Sequence, residues 1–423
     1  MTSSSRPAHL RLVLPISLVC VFLVADVLRV GAAIWLVRRN QTNGVEHEFA
    51  DSELYWKLAL RVAARESYDD GKRQVLRTPG YPVFLAGCIR LFGPSTTAAR
   101  HAQAAVGAAS CVLLFFLVRK LVGPREAWVA AALGAVYPFA VFLSAVILSE
   151  AVFTFVLLAQ LLCLVHLIAS IEEDAPGRRV AILAALTGLT GAVATLVRPS
   201  WYLAVPVIVL ALAFRRGPRS RRFFAAAGTL MCAFLLAMAP WLIRNVIVTG
   251  RVVVTTLWVG ASLYDGLNEH ATGASNMKFM DRPETFGLDP GLDSMSELEQ
   301  DSYLRREAWR FARSHPWRVV ELAAIKFGRY WNPLPNADEW RSGWLGLVSV
   351  ATCGPVLVLA LVSAWRLRRR WRVLVLLAGP VFYFCAIHLV FVSSIRYREA
   401  AMLPVLGLVA AALTPRSTAS SQS

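Results

Sequence analysis

The sequence predicts an all-α membrane protein with many spans. Hydrophobic residues make up 57% of the 423 residues and charged residues only 17%, and the mean hydropathy is +0.53. A soluble fold of this length could not bury so much apolar surface. The apolar residues also fall into runs of about 20, which is the length an α-helix needs to cross a bilayer.

About ten runs qualify as candidate spans, and an even number predicts that both termini lie on the same side of the membrane. We interpret the first run as a retained span, because it is too long for a signal peptide and lacks a small-residue cleavage site. The ten runs are Leu10–Val37, Ala98–Val122, Ala127–Phe142, Val146–Ser170, Val180–Val197, Trp201–Phe214, Phe223–Ile247, Leu345–Trp365, Val373–Val392 and Ala400–Leu413.

Basic residues predict the orientation of these spans. The chain has 44 Lys and Arg against 27 Asp and Glu, a formal net charge of +17. They cluster between apolar runs, at residues 215–222, 366–372 and more weakly 119–125, as the positive-inside rule describes. No basic polar domain suited to nucleic acid is present, so we predict a plasma (inner) membrane protein with these clusters and both termini in the cytoplasm. Its seven cysteines are spread singly, which predicts neither a disulfide framework nor a metal site.

Two shorter apolar segments are predicted to stay on the outer face. Gly80–Phe92 is too short to cross, which favours a partly inserted helix that returns to the same side. A crossing by Trp317–Trp331 would place the two strong basic clusters on opposite sides. Its mixture of apolar and basic residues indicates a helix lying in the membrane interface.

The longest polar segment, Thr249–Pro316, is also predicted to lie outside. It begins with a strand-like run, Val252–Thr256, and continues as a loop rich in Gly, Asn and Pro. Ser296 and Glu299 have the spacing of a helical capping box, and the sequence His315-Pro316 is expected to end that helix.

Acidic residues near the membrane are candidates for chemistry. Asp51 stands where a helix begins, so its carboxylate could cap free backbone N–H groups, and an oriented, ionised carboxylate also suits a general base. Glu150 has no basic residue within one helical turn, so it must face a cavity, an arginine of another helix, or water at the headgroup level. Asp26 and Arg29 are spaced to pair within the first span.

A metal site is not favoured by the pattern of ligands. His47 lies beside Glu48 and Asp51, but one imidazole without a zinc-binding motif does not build a protein cage for a metal. Loose binding of a divalent cation between carboxylates and a phosphate remains an alternative.

Five arginines lie on the predicted outer side of the membrane, where the positive-inside rule does not favour basic residues, so a functional role is a candidate explanation. Converging guanidinium groups would bind a phosphate or diphosphate headgroup. Snorkelling, or pairing with acids such as Glu150 and Glu399, is the alternative for each. The five are Arg77, Arg198, Arg244, Arg396 and Arg398. No convincing Ser-His-Asp set, P-loop or dinucleotide motif accompanies them.

Short motifs follow one another along nearly the whole chain. They are DSELYWKLA from Asp51, RTPGYPVFLA from Arg77, LFG from Leu91, LSEAVF ending at Phe153, LVRPSW from Leu196, PWLIRN from Pro240, GRVVVTTLWVGASLYDGLNEHATG ending at Gly273 and IRYREAAMLPVLGLVAA from Ile395. In this order they resemble the membrane glycosyltransferases of the GT-C fold, specifically the protein-mannosyltransferase and aminoarabinose-transferase group that uses polyprenyl-phosphate sugars.

This resemblance implies a catalytic base at Asp51 and a second acid at Glu150. It also implies a phosphate contact at Arg77, with Arg244, Arg396 and Arg398 as weaker assignments. Many relatives carry paired acids at the first position, whereas here Ser52 and Glu53 follow the base. The remaining candidate substrate-binding residues are Tyr81, Glu53, Tyr55, Arg198 and Asn245.

The implied activity is inverting transfer of a sugar from a polyprenyl-phosphate donor to a lipid, glycan or protein acceptor on the extracytoplasmic face. The expected organisation is a catalytic transmembrane module (1–247) with an outer loop (38–97), an extracytoplasmic loop and interfacial helix (248–343), C-terminal spans (344–413) and a disordered tail (414–423). A transporter or flippase of polyprenyl-linked substrates is the main alternative, and a non-catalytic relative on the same fold is a third.

Overall fold

The computed structural model describes residues 8–336, 341 and 343–415, and every regular element within them is helical. This confirms the predicted all-α class. The α-helices are α1 (Ala8–Asn43), α2 (Ala50–Ala63), α3 (Gly80–Phe92), α4 (Thr96–Leu121), α5 (Pro124–Val136), α6 (Pro138–Ala145), α7 (Glu150–Glu172), α8 (Gly177–Val197), α9 (Ala204–Ala213), α10 (Ser220–Thr249), α11 (Val259–Gly266), α12 (Glu297–Ser314), α13 (Pro316–Trp331), α14 (Trp344–Arg366), α15 (Trp371–Val390), α16 (Ile395–Glu399) and α17 (Leu406–Leu413). The predicted tail lies outside the described residues from position 416 onward.

Fewer helices than predicted are long enough to cross a membrane. Seven helices in the described part of the chain qualify, or eight if the bent pair α5 and α6 forms one span. The apolar helices Pro199–Ala213 and Leu403–Leu413 are shorter. At 1.5 Å per residue they reach only about 16 to 22 Å, less than the roughly 30 Å of a hydrocarbon core. The predicted count of ten is therefore not confirmed.

The bend between α5 and α6 explains a buried arginine in α1. Arg29 donates to the carbonyl oxygens of Gly134 and Ala135, at 3.0 and 3.1 Å, just before the break. The predicted ion pair of Arg29 with Asp26 does not form; instead the guanidinium satisfies carbonyls that the broken helix leaves without amide partners.

The three basic clusters converge on one end of the helix bundle. Glu172, at the end of α7, accepts hydrogen bonds from Arg215 and Arg372. In the following turn Asp174 accepts from Arg219 and Arg222. The clusters thus lie together, as the orientation scheme requires, and Glu150 at the start of α7 marks the opposite end. Assignment of the basic end to the cytoplasm stays a prediction.

The polar segment packs as small helices against the opposite end. The predicted capping box of Ser296 and Glu299 opens α12, and α13 begins at Pro316. The predicted strand at Val252–Thr256 was wrong, because α10 side chains rather than a partner strand take its carbonyls. Asn245 donates to Val253 O at 2.9 Å and Trp241 to Thr255 O at 2.8 Å.

Candidate active site

Five charged side chains form a continuous chain at the end of the bundle opposite the basic clusters. Asp51 Oδ1 accepts from Arg77 at 3.0 Å and Asp51 Oδ2 from Arg396 at 3.1 Å. Arg396 also donates through Nε to Glu150, whose Oε1 lies 3.2 Å from Arg198 Nη1. Positive and negative groups therefore alternate in the order Arg77, Asp51, Arg396, Glu150, Arg198. We call these five residues the charge chain.

Each member of the charge chain lies at or beside the end of a helix. Asp51 is the second residue of α2, Glu150 the first residue of α7, and Arg198 directly follows α8. Arg77 stands in the loop before α3, and Arg396 lies in the short helix α16. Helix ends suit this purpose, because the packed bundle fixes the position of the side chains that they carry.

The predicted capping role of Asp51 was wrong. Helix α2 has Phe49 at its N-cap position and no side-chain cap there. The two oxygens of Asp51 are instead occupied by Arg77 and Arg396, which are stronger partners than backbone amides because they carry full charge.

The charge chain is largely withdrawn from water. The Glu150 side chain is fully buried and that of Arg198 is 9% exposed, whereas Asp51 keeps 35% exposure. Burial alone would raise the pKa of Asp51, but Arg396 and Arg77 outweigh it and hold that pKa well below its usual range. Glu150 Oε2 is buried and has no hydrogen-bond partner among the described residues. With three guanidinium groups and two carboxylates, the ionised chain carries one excess positive charge.

Aromatic rings cover the arginines of the charge chain. Arg77 lies 5.4 Å from the ring centroid of Trp258, and Arg396 lies 5.6 Å from that of Phe49. Arg198 lies 5.5 Å from the ring of Tyr397. Ring faces attract cations and exclude water, which strengthens electrostatic interactions within the site. These rings were not among the site residues predicted from the sequence, although Tyr397 adjoins Arg396 in the IRYREAA motif.

The loop that carries Arg77 is held from both sides. Glu297, in the first turn of α12, accepts from the backbone N–H groups of Gln74 and Val75 at 2.9 and 3.1 Å. Arg244 of α10 donates to the carbonyl oxygens of Gln74 and Tyr68, each at 2.7 Å. Arg244 therefore supports the loop and does not join the charge chain.

Gly80 explains the glycine of the RTPGYP motif. A Cβ atom at this position would lie 2.6 Å from backbone atoms of both Leu196 and Val197. Only glycine permits this contact between the start of α3 and the end of α8. The contact brings the Arg77 loop next to Arg198.

Several other candidate residues lie away from the charge chain. Arg398 is buried, pairs with Glu399 and donates to the carbonyl oxygens of Tyr330 and Asn332. Tyr81 is buried and donates to Gln103 at 2.7 Å, and its ring packs against Tyr55 at 4.9 Å. Glu53 is exposed on α2, and Asn245 is buried beneath residues 249–253.

The remaining acids of the outer loop do not gather around a metal. Glu48 forms a buried ion pair at 2.6 Å with Arg100, which was not among the predicted site residues. Glu46 is exposed and His47 partly buried. In the part of the chain that the structure describes, no group of three or more His, Cys, Asp or Glu side chains is arranged to hold a metal ion.

Comparisons with known proteins agree with this architecture. The family model for dolichyl-phosphate-mannose-protein mannosyltransferase matches residues 77–244, which is less than half of the chain. No curated protein matches by sequence. The archaeal oligosaccharyltransferase AglB from Archaeoglobus fulgidus, solved with an inhibitory peptide and a dolichol-phosphate, superposes with a TM-score of 0.53 at 15% identity, over 93% of this chain and 50% of that chain.

The chain has the GT-C fold. The apo form of the Archaeoglobus oligosaccharyltransferase gives a TM-score of 0.52 at 15% identity, over 93% of this chain and 50% of that one. This chain thus spans about half the length of both. ArnT from Cupriavidus metallidurans bound to undecaprenyl phosphate has a TM-score of 0.47 at 14% identity, over 96% of this chain and 78% of that chain. The predicted resemblance to GT-C membrane glycosyltransferases is confirmed.

Proposed function

We propose that this protein is an inverting membrane glycosyltransferase that moves a sugar from a polyprenyl-phosphate donor to a lipid, glycan or protein acceptor. The observation that carries the proposal is the charge chain, in which Asp51 is held between two arginines at one end of a GT-C fold. The family model matched over residues 77–244 supports the same donor class, because its members are described as acting on dolichyl-phosphate-mannose.

Asp51 acts as the general base in the proposed reaction. It takes the proton from the acceptor hydroxyl, whose oxygen attacks the anomeric carbon. The bond from that carbon to the phosphate oxygen breaks, and the polyprenyl phosphate leaves with the electron pair. Attack from the face opposite the leaving group inverts the configuration.

The arginines must serve both the base and the phosphate. As the structure stands, Arg77 and Arg396 occupy both oxygens of Asp51 and keep its pKa low, which makes it a weak base. A donor phosphate that draws these guanidinium groups toward itself frees the carboxylate and raises its basicity. Because the donor phosphate and Asp51 compete for the same two arginines, we expect the donor to bind before the acceptor.

Glu150 has a positioning role in this scheme. It is fully buried and holds Arg396 and Arg198 through one oxygen, so it does not need to touch the acceptor. By fixing Arg396 it fixes the distance between that guanidinium and Asp51. The second acid implied by the family resemblance thus acts through an arginine.

We place this site on the extracytoplasmic face of the plasma membrane, with both termini in the cytoplasm. The support is the convergence of the three basic clusters at the other end of the bundle, together with the positive-inside rule. The polar segment that supports the Arg77 loop would then lie outside the cell membrane with the acceptor.

The proposed base is tested by the Asp51→Asn variant. The purified protein in detergent is incubated with polyprenyl-phosphate sugars and an extract of lipids and glycans, and release of free polyprenyl phosphate is followed. Loss of a general base should reduce turnover by about 10²- to 10⁴-fold. The control is Asp70→Asn in the same loop, because the Asp70 carboxylate accepts from the backbone N–H groups of Lys72 and Arg73, and an amide oxygen can replace that contact.

Two results would contradict the proposal. Wild-type turnover in Asp51→Asn would remove Asp51 from the role of base. If no donor is consumed by the wild type but labelled polyprenyl lipid changes leaflet in liposomes, the protein is a flippase.

A further inference from the structure

The C-terminal half of α12 presents an exposed basic surface that the proposed reaction does not use. An open groove there is lined by Arg305, Arg306, Trp309, Arg310, Arg313 and Ser314. Arg305 pairs with Asp301 and Arg310 with Glu307. Arg306 and Arg313 are exposed and form no ion pair with a described residue. The surface therefore carries positive charge that no acid among the described residues neutralises.

Exposed arginines and tryptophans alternate along the sequence here. Arg306, Trp309 and Arg313 are three and four residues apart within α12, which places them on one side of that helix. Trp317 follows at the start of α13, beyond the break at His315. Trp309 is 51% exposed and Trp317 is 83% exposed. We call these four residues the Arg–Trp stripe.

Helix α13 continues this surface with an apolar face. Val320, Ala324 and Phe327 follow Trp317 at helical spacing and are all exposed. An exposed apolar stripe of this length is unfavourable in water but suits a helix that lies in a membrane interface. The Arg–Trp stripe therefore begins where α13 would meet the bilayer surface.

The chemistry of the stripe matches phospholipid headgroups. Tryptophan prefers the headgroup region of a bilayer, where its ring is apolar and its N–H is hydrated. Arginine donates in a planar fork that fits phosphate oxygens. Each basic residue near an anionic membrane surface strengthens binding by about fivefold. Phosphate groups at the same level as the rings would neutralise Arg306 and Arg313.

We propose that the Arg–Trp stripe binds the phosphates of anionic phospholipid headgroups on the membrane surface. This interaction goes beyond the proposed glycosyl transfer and does not depend on it. The occupant is a diacyl phospholipid with net negative charge, such as phosphatidylglycerol.

The position of α12 gives this contact a structural consequence. The helix has 18 residues, about 27 Å at 1.5 Å per residue. Its first turn carries Glu297, which holds the backbone of Gln74 and Val75 just before Arg77. Headgroups bound at one end of α12 would thus fix the orientation of the helix that supports the Arg77 loop at its other end.

The proposal is tested by photo-crosslinking of the full-length protein in liposomes. The liposomes contain phosphatidylcholine with a small fraction of phosphatidylglycerol that carries a photoreactive headgroup, and labelled peptides are mapped by mass spectrometry. The wild type should be labelled within residues 305–317. The double variant Arg306→Gln/Arg313→Gln should lose this labelling by about 30-fold, the product of two basic residues.

Two controls separate a specific loss from misfolding. Labelling of the basic cluster at residues 215–222, at the other end of the bundle, should be unchanged in the double variant. The matched variant Lys278→Gln/Arg282→Gln removes the same charge from exposed positions elsewhere in the polar segment and should keep the α12 labelling.

Three results would overturn the proposal. Absence of label on α12 in the wild type would mean that the stripe does not meet the bilayer. Equal labelling from a photoreactive phosphatidylcholine would show contact without selection for negative charge. Undiminished labelling in the double variant would show that the arginines do not bind the headgroups.

Discussion

Replacement of Arg396 is the sharpest test of the charge chain, because among the described residues this side chain alone touches both acids. Its Nη1 donates to Asp51 at 3.1 Å and its Nε donates to Glu150. In Arg396→Gln, Asp51 keeps Arg77 and Glu150 keeps Arg198, so neither carboxylate is left without a guanidinium. The fold should therefore survive in weakened form.

The expected magnitudes follow from the two lost contacts. Hydrogen bonds to charged groups contribute about 1.5 to 3 kcal/mol each. The contact with Asp51 counts for less, because that side chain is 35% exposed and screened by water. We expect the free energy of unfolding to fall by about 2 to 4 kcal/mol. Turnover should fall by about 10²- to 10³-fold, since a group that stabilises the leaving phosphate is missing.

Release of polyprenyl phosphate and thermal unfolding in one detergent measure both effects. Arg396→Lys should recover only part of the loss, because one ammonium group cannot replace the planar fork that reaches both acids. Arg398→Lys serves as the contrast. It should destabilise the protein yet keep normal turnover per folded molecule, since Arg398 binds Glu399 and backbone carbonyls. A turnover in Arg396→Gln within about threefold of wild type would refute the proposed role of this arginine in transition-state stabilisation.

Three further predictions concern the support of the site. Gly80→Ala should lower the free energy of unfolding by about 1 to 3 kcal/mol or more, because the added Cβ meets backbone atoms. Gly87→Ala on the same helix is the control, since a Cβ there meets nothing within 4 Å. Equal melting temperatures of the two variants would contradict the close contact at Gly80. Arg244→Gln should raise the KM for the donor by about tenfold with little change in kcat, because two hydrogen bonds to the Arg77 loop are lost. A change confined to kcat would argue against a supporting role for Arg244. Burial lowers the pKa of Lys326 from 10.5 to about 8, so the charged lysine lowers the free energy of unfolding below pH 8, and that free energy rises by up to about 3 kcal/mol as pH increases from 8 to 10.5. Lys326→Met should lose this rise in melting experiments across that range, and an unchanged pH dependence would contradict the shift.

Local patterns predicted the elements of this fold better than the contacts of its charged side chains. The spans follow from apolar length, and the capping box of Ser296 and Glu299 follows from two residues three positions apart. Arg396 and Asp51 are separated by 345 positions, so no local pattern relates them. The outer arginines were recognised because they break the orientation rule. Their contacts differ, since Arg396 binds two acids of the charge chain whereas Arg244 and Arg398 donate to backbone carbonyls far away in the sequence. No sequence pattern identifies such carbonyls.

The charge chain also balances charge through the proposed reaction. Three arginines and two carboxylates leave one excess positive charge, and a polyprenyl-phosphate sugar is a phosphodiester with one negative charge, so the complex is neutral. When the bond to the sugar breaks, the leaving phosphate gains a second negative charge while Asp51 loses its own by taking a proton. The total stays at zero, and Arg77 and Arg396, already drawn toward the donor phosphate, complete their move from the base to the phosphate as its charge grows. An arginine pair shared in this way couples the arrival of the proton at Asp51 to the growth of charge on the leaving group. A site that held the base and the phosphate with separate cations would lack this coupling.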